Sequence, residues 1–100
     1  MEGTLSMYIG LLTRWKDKYF ILHDNILSYC AHQGGPSQGR IHIDVATIKV
    51  NNDEPLRIQL NTGTSEVLLQ CKDVADKTKW INAIRAMQQD LRTASMKEST

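Results

Sequence analysis

The sequence predicts a mainly β domain: a seven-stranded antiparallel open barrel or sandwich capped by one C-terminal α-helix. Three observations carry this expectation. Seven short runs of strand-forming residues lie within the first 71 positions, each bounded by Gly, Pro, Asn or Asp. From Asp73 onward the apolar positions Trp80, Ile81, Ile84, Met87 and Leu91 recur at spacings of three and four, the stripe of one amphipathic helix. The chain has 100 residues, 41% of them hydrophobic, which is enough for one core and too few for two.

The elements follow in order. Thr4–Tyr8 alternates Leu5 and Met7 against Ser6 and forms the first strand. Trp15–His23 is the second, with Lys16, Lys18, Phe20 and Leu22 on one face. Asp24-Asn25 is a tight-turn pair, so Ile26–Cys30 closes a hairpin. Residues 31–39, AHQGGPSQG, read as a loop because they hold three glycines and a proline. Arg40–Asp44 and Thr47–Val50 are the fourth and fifth strands, Leu56–Leu60 the sixth and Glu66–Cys71 the seventh, with turns at Asn51–Pro55 and Asn61–Ser65. Asp73 suits a helix N-cap, and Asp76 adds negative charge to the first turn, where the helix dipole favours it. Residues 1–91 are expected to form the single domain and 92–100 a polar tail or linker.

Composition excludes several functions. Twelve Lys and Arg against eleven Asp and Glu give a net charge of +1, unlike the dense basic surface of a nucleic-acid binder. No stretch approaches the roughly 18 apolar residues of a spanning helix, and MEGTLSMYIG lacks the basic start and long apolar run of a secretory leader. A soluble, cytoplasmic chain is expected, with any membrane contact peripheral. Cys30 and Cys71 share no metal or redox spacing and read as reduced thiols within the core. His23, His32 and His42 are dispersed, and no nucleophile elbow, phosphate-binding glycine loop or paired carboxylates occur. Neither an enzyme, a metal site nor a cofactor is expected.

What remains is local. Arg14, Lys16 and Lys18 place three cations within five residues. Cations on a strand are commonly just solvated, but Lys16 and Lys18 share the face of Phe20 and Leu22. That position suits an open barrel mouth where ammonium groups converge on an anion such as a phosphate. The loop before them, Tyr8-Ile9-Gly10-Leu11-Leu12-Thr13, is apolar where a hairpin turn should be polar. Its side chains either pack on the core or form an exposed wedge of Tyr8, Ile9, Leu11 and Leu12. Apolar tips beside cations suit an anionic membrane surface.

The opening EGTLSMYIGLLTRWKDKYFIL resembles the pleckstrin homology signature, G-x-L followed by a loop and W-x-x-[RK]-[WYF]-F-[VI]-L. ILSYC resembles that family's third strand, and Trp80 in DKTKWINAI its helix tryptophan. The match runs from about Glu2 to Met87 and is specific in combination. It is most similar to the branch of four-phosphate adaptor, ceramide-transfer and oxysterol-binding proteins. That likeness implies recognition of phosphatidylinositol 4-phosphate on Golgi membranes, together with a small Arf GTPase. The family's phosphoinositide motif falls on Met7, Lys16, Lys18 and Tyr29. Lys16 and Tyr29 fit, Lys18 replaces an Arg, and Met7 stands where a lysine would grip phosphate. Arg40 and His42 lie where the family often adds basic residues. The loop departs too, being more apolar than the usual K-W-T-N-x-x-x-G-W, with Arg14 in place of the common Gly.

The resemblance implies a non-catalytic, monomeric membrane-targeting module within a larger lipid-transfer or adaptor protein. Its headgroup-binding residues would be Arg14, Lys16, Lys18, Tyr29, Arg40 and His42, and its wedge Tyr8, Ile9, Leu11 and Leu12. Trp80 is expected to be structural. The alternative is a module of the same fold that binds a protein partner and has lost specific headgroup binding.

Overall fold

The computed structural model describes residues 1–9 and 14–98, with side-chain surroundings through residue 89. The strands are β1 (Glu2–Ile9), β2 (Arg14–His23), β3 (Ile26–Cys30), β4 (Ser37–His42), β5 (Thr47–Lys49), β6 (Arg57–Asn61) and β7 (Glu66–Gln70). A short 3-10 turn, Ile43–Val45, separates β4 from β5, and helix α1 (Val74–Glu98) is the last described element. All seven strands join one sheet in the order β4-β3-β2-β1-β7-β6-β5 with antiparallel neighbours. The terminal strands of that order, β4 and β5, do not pair with each other, so the expected open antiparallel architecture with a single capping helix is what forms.

Alternation dictates which side chains meet. Gly3, Leu5 and Met7 of β1 stand opposite Phe20, Lys18 and Lys16 of β2, and Phe20 and Leu22 stand opposite Tyr29 and Leu27 of β3. Leu5, Phe20, Leu27, Ile58, Leu60 and Leu69 are fully buried along this inner face. The β2–β3 connection has Asp24 at φ 50° and Asn25 at φ 67°. Positive φ at both central residues makes a two-residue hairpin turn whose twist matches that of the strands, and Asn and Asp tolerate it better than most residues.

Helix α1 begins where expected, because Asp73 Oδ1 accepts the Asp76 N–H at 2.7 Å. Trp80, Ile81 and Ile84 are buried and close the core, with the indole lying over Gly3. Lys77, also buried, donates to the Pro55 carbonyl at 2.9 Å and ties the first helical turns to the β5–β6 connection. The helix runs on through residues 92–98, the segment expected to be a polar tail. Cys30 and Cys71 are buried and free. Burial, reinforced by Asp76 and Asp73 and opposed by Lys77, pushes the Cys71 thiol from its ordinary 9.0 up to about 11.

Two boundaries correct the sequence expectation. First, β4 begins at Ser37, inside the stretch read as loop, and pairs Gly39 with Tyr29. An edge strand tolerates a glycine whose empty side is covered by a cross-strand aromatic ring. Second, the expected strand Arg40–Asp44 stops at His42, and the chain coils into the 3-10 turn. The buried Ile43 donates to the Asn25 carbonyl at 2.8 Å, and the Gln88 amide caps the Ile43 and Ala46 carbonyls at 2.9 and 2.8 Å. That long-range partner on α1 is invisible to local alternation.

Candidate functional site

The end of the barrel where β2 begins carries the predicted charge. Arg14, Lys16 and Lys18 occupy alternate positions of β2 and therefore one side of the strand, successive residues standing about 7 Å apart. They oppose Ile9, Met7 and Leu5 of β1. Asp17 belongs to the other side, where its carboxylate accepts the Ser6 hydroxyl at 2.6 Å. The run therefore presents an unbroken cationic row inward although its sequence mixes signs.

Burial differs along the row. Arg14 and Lys16 are exposed, whereas Lys18 is only 7% exposed. Burying an ammonium is costly unless it is hydrogen-bonded and paired. Lys18 Nζ donates to Gln38 Oε1, and among the described residues no carboxylate pairs with it. Gln38 arrives through an irregularity of the β3–β4 ladder. Tyr29 pairs with Gly39 and Cys30 with Ser37, leaving Gln38 as the additional residue of a bulge. A bulge re-aims the side chain it carries.

Met7, whose register partner is Lys16, lines a cavity of about 310 Å³ together with Tyr29, Ile41, Val45 and Val67; Arg14, Lys16 and Lys18 are not among its lining residues. Tyr29 is half-buried, with its ring on Phe20 at 5.5 Å and across Gly39. Arg40 and His42 border the cavity on the β4 side, and Thr62, Thr64 and Ser65 of the β6–β7 turn on the other. Arg40 and His42 pair with Ser28 and Ile26, the row opposite to that of Tyr29. They reach the cavity from the rim of an edge strand and are not part of the cationic row.

Of the apolar wedge, Leu11 and Leu12 lie outside the described residues. Tyr8 and Ile9 are half-buried at the end of β1. The Tyr8 ring packs on Trp15 at 5.4 Å, and the Arg57 guanidinium lies 5.1 Å over the other partner of that pair, the Trp15 ring. This stack sits on the outer side of the sheet, where Tyr8 of β1 pairs with Trp15 of β2. Further along that side, Tyr19 donates to Glu2 at 2.6 Å, which raises its phenol above the ordinary value.

The histidines remain dispersed, His23 pairing with Asp24 at 3.1 Å in the distant hairpin turn. No group of three metal-ligating side chains forms among the described residues, and no helix is long and apolar enough to cross a membrane. Sequence reasoning missed Gln38 and the hydroxyls of the β6–β7 turn. The NTGTS segment carried the second signal, because a turn between strands six and seven returns to the same open end. Gln38 carried none, since its position depends on the bulge.

Comparison with known proteins agrees with this geometry. Residues 1–89 match the family model of the PH domain. The chain is 31% identical over 105 residues to human pleckstrin homology domain-containing family A member 3, covering 98% of this chain and 35% of that protein. It is 27% identical over 92 residues to human oxysterol-binding protein-related protein 10, covering 86% of this chain and 12% of that protein. The chain thus spans about a third or less of these curated relatives. Among solved structures, the crystal structure of the C-terminal PH domain of pleckstrin in complex with D-myo-Ins(1,2,3,4,5)P5 superposes with a TM-score of 0.77 at 25% identity, covering 87% of this chain and 95% of that one.

Proposed function

We propose that this chain, which belongs to the PH domain family, is a non-catalytic membrane-targeting module that binds a phosphoinositide headgroup, phosphatidylinositol 4-phosphate foremost. Lys18 is the observation that carries the reading: a buried ammonium whose partner is a neutral amide, on the same row as Lys16 and Arg14. An incoming phosphate would supply the counter-charge that the described residues do not. Tyr29 walls the headgroup cavity, with Arg40 and His42 at its rim. The pleckstrin domain named above, solved with an inositol polyphosphate, supports the ligand class.

Ile9, Leu11 and Leu12 of the expected wedge are proposed to enter the bilayer beside the headgroup, while Tyr8 stays packed on Trp15. A buried Leu contributes roughly 1.5–3 kcal/mol and each Lys near an anionic surface about 1 kcal/mol. A few of each give weak, reversible attachment. Met7, an apolar side chain in the cavity, argues for modest affinity. The resemblance of the β1–β2 segment to the four-phosphate adaptor, ceramide-transfer and oxysterol-binding branch extends the proposal to a cytoplasmic lipid-transfer or adaptor protein peripheral to Golgi membranes, with a small Arf GTPase as second contact and avidity completing its localisation.

Liposome sedimentation across a phosphoinositide panel tests this reading. Lys18→Ala and Leu11→Ala are each expected to weaken binding several-fold; unchanged binding in Lys18→Ala would contradict the headgroup reading, and unchanged binding in both would contradict the proposed site as a whole. Met7 and the net charge of +1 favour one other reading, a protein-interaction module without headgroup specificity. Recovery of a protein partner with no response to any phosphoinositide would decide for it.

A further inference from the structure

We infer that Gln38 is a ligand-contacting residue of the cationic mouth, donating from its amide nitrogen to the same phosphoryl group that Lys18 holds. The inference rests on the reading above and adds a residue that the phosphoinositide motif does not include. It begins with donor and acceptor inventory. An ammonium carries three donors and no acceptor, so the amide must turn its oxygen toward Lys18. The Gln38 Nε2 group, on the same amide carbon as that oxygen, remains available as a donor. It has no hydrogen-bond partner among the described residues, and Gln38 is exposed.

One phosphoryl oxygen cluster can therefore meet two kinds of donor, the remaining N–H groups of Lys18 and the N–H groups of Gln38. The bulge at Gln38 lets its side chain meet Lys18 of the inner row, which keeps the two donor groups together. A neutral partner also leaves the Lys18 charge uncompensated. A carboxylate at position 38 would form an internal ion pair, cancel that charge and repel phosphate.

The test uses Gln38→Glu, nearly identical in size, and Gln38→Leu. Affinity is measured by calorimetry for soluble inositol 1,4-bisphosphate and by sedimentation for phosphatidylcholine vesicles carrying phosphatidylinositol 4-phosphate. Gln38→Glu is expected to weaken both by about tenfold or more, and Gln38→Leu by several-fold, with thermal melting of Gln38→Glu unchanged or raised by the new ion pair. Loss with vesicles but not with the soluble compound would place the contact on the membrane surface and overturn the shared-phosphate geometry. Wild-type affinity in Gln38→Glu, alongside lost binding in Lys18→Ala, overturns this inference alone. No effect of Lys18→Ala overturns the headgroup reading and this inference with it.

Discussion

The Tyr29 ring lies across Gly39 of the neighbouring strand, so closely that a Cβ at position 39 would overlap the ring carbon Cζ and the phenol oxygen Oη. The glycine is therefore the floor on which the Tyr29 wall of the cavity rests. In most strand positions Gly→Ala stabilises by roughly 0.5–1 kcal/mol, by reducing the freedom of the unfolded chain. Here the sign reverses. Gly39→Ala must push the ring off its seat, at a cost of about 1–3 kcal/mol. Chemical denaturation should show the loss, together with weaker headgroup binding because Tyr29 is displaced.

Trp80 tests the packing of the helix. Its indole is 1% exposed and covers Gly3. Trp80→Ala removes a large buried ring and is expected to cost roughly 3–5 kcal/mol, enough to unfold many domains of this size. A variant that melts like the parent would show that α1 does not close the core.

Cys71 makes stability depend on alkaline pH. Its folded pKa of about 11 exceeds the ordinary 9.0, so between those values the folded chain retains a proton that the unfolded chain has released. The resulting stabilisation is fully present below pH 9 and is lost as pH rises through 11. Denaturation midpoints should fall over that window in the parent and fall less in Cys71→Ala. Thiol-directed reagents should react slowly with the folded protein at neutral pH.

Salt is expected to separate the two parts of the proposed membrane binding. Arg14 and Lys16 are exposed and are screened over about 8 Å at physiological ionic strength, whereas the buried Lys18 is screened less. Vesicle affinity should therefore decline with salt in the parent. In Arg14→Ala/Lys16→Ala the slope should flatten while selectivity for the phosphoinositide persists. Equal slopes would place the steering charge elsewhere.

Much of this architecture was legible because alternation and turn chemistry are local. The Asp24-Asn25 hairpin, the shared face of Lys16, Lys18 and Phe20, and the helical stripe through Trp80 all follow from residues within a few positions of one another. What was not legible depends on distant partners. The strand at Ser37–Gly39 was hidden by Pro36 and three glycines, one of which is tolerated only because Tyr29 covers it. The end of β4 depends on Gln88, more than forty residues away, which caps the 3-10 turn. Gln38 enters the site through a bulge whose register no strand carries by itself. The same limit applies to Tyr8, whose ring is engaged by Trp15 across the hairpin and is not a free tip.

The central claim is that an anion is held by the inner row of β2 beside Tyr29. Backbone amide chemical shifts followed by NMR during titration with inositol 1,4-bisphosphate test it most directly. The account predicts saturable shifts concentrated at Lys16, Lys18, Tyr29 and Gln38–Arg40, abolished in Lys18→Ala. Shifts confined to the outer side around Trp15, Asp17 and Arg57, or no saturable shift at all, would contradict it.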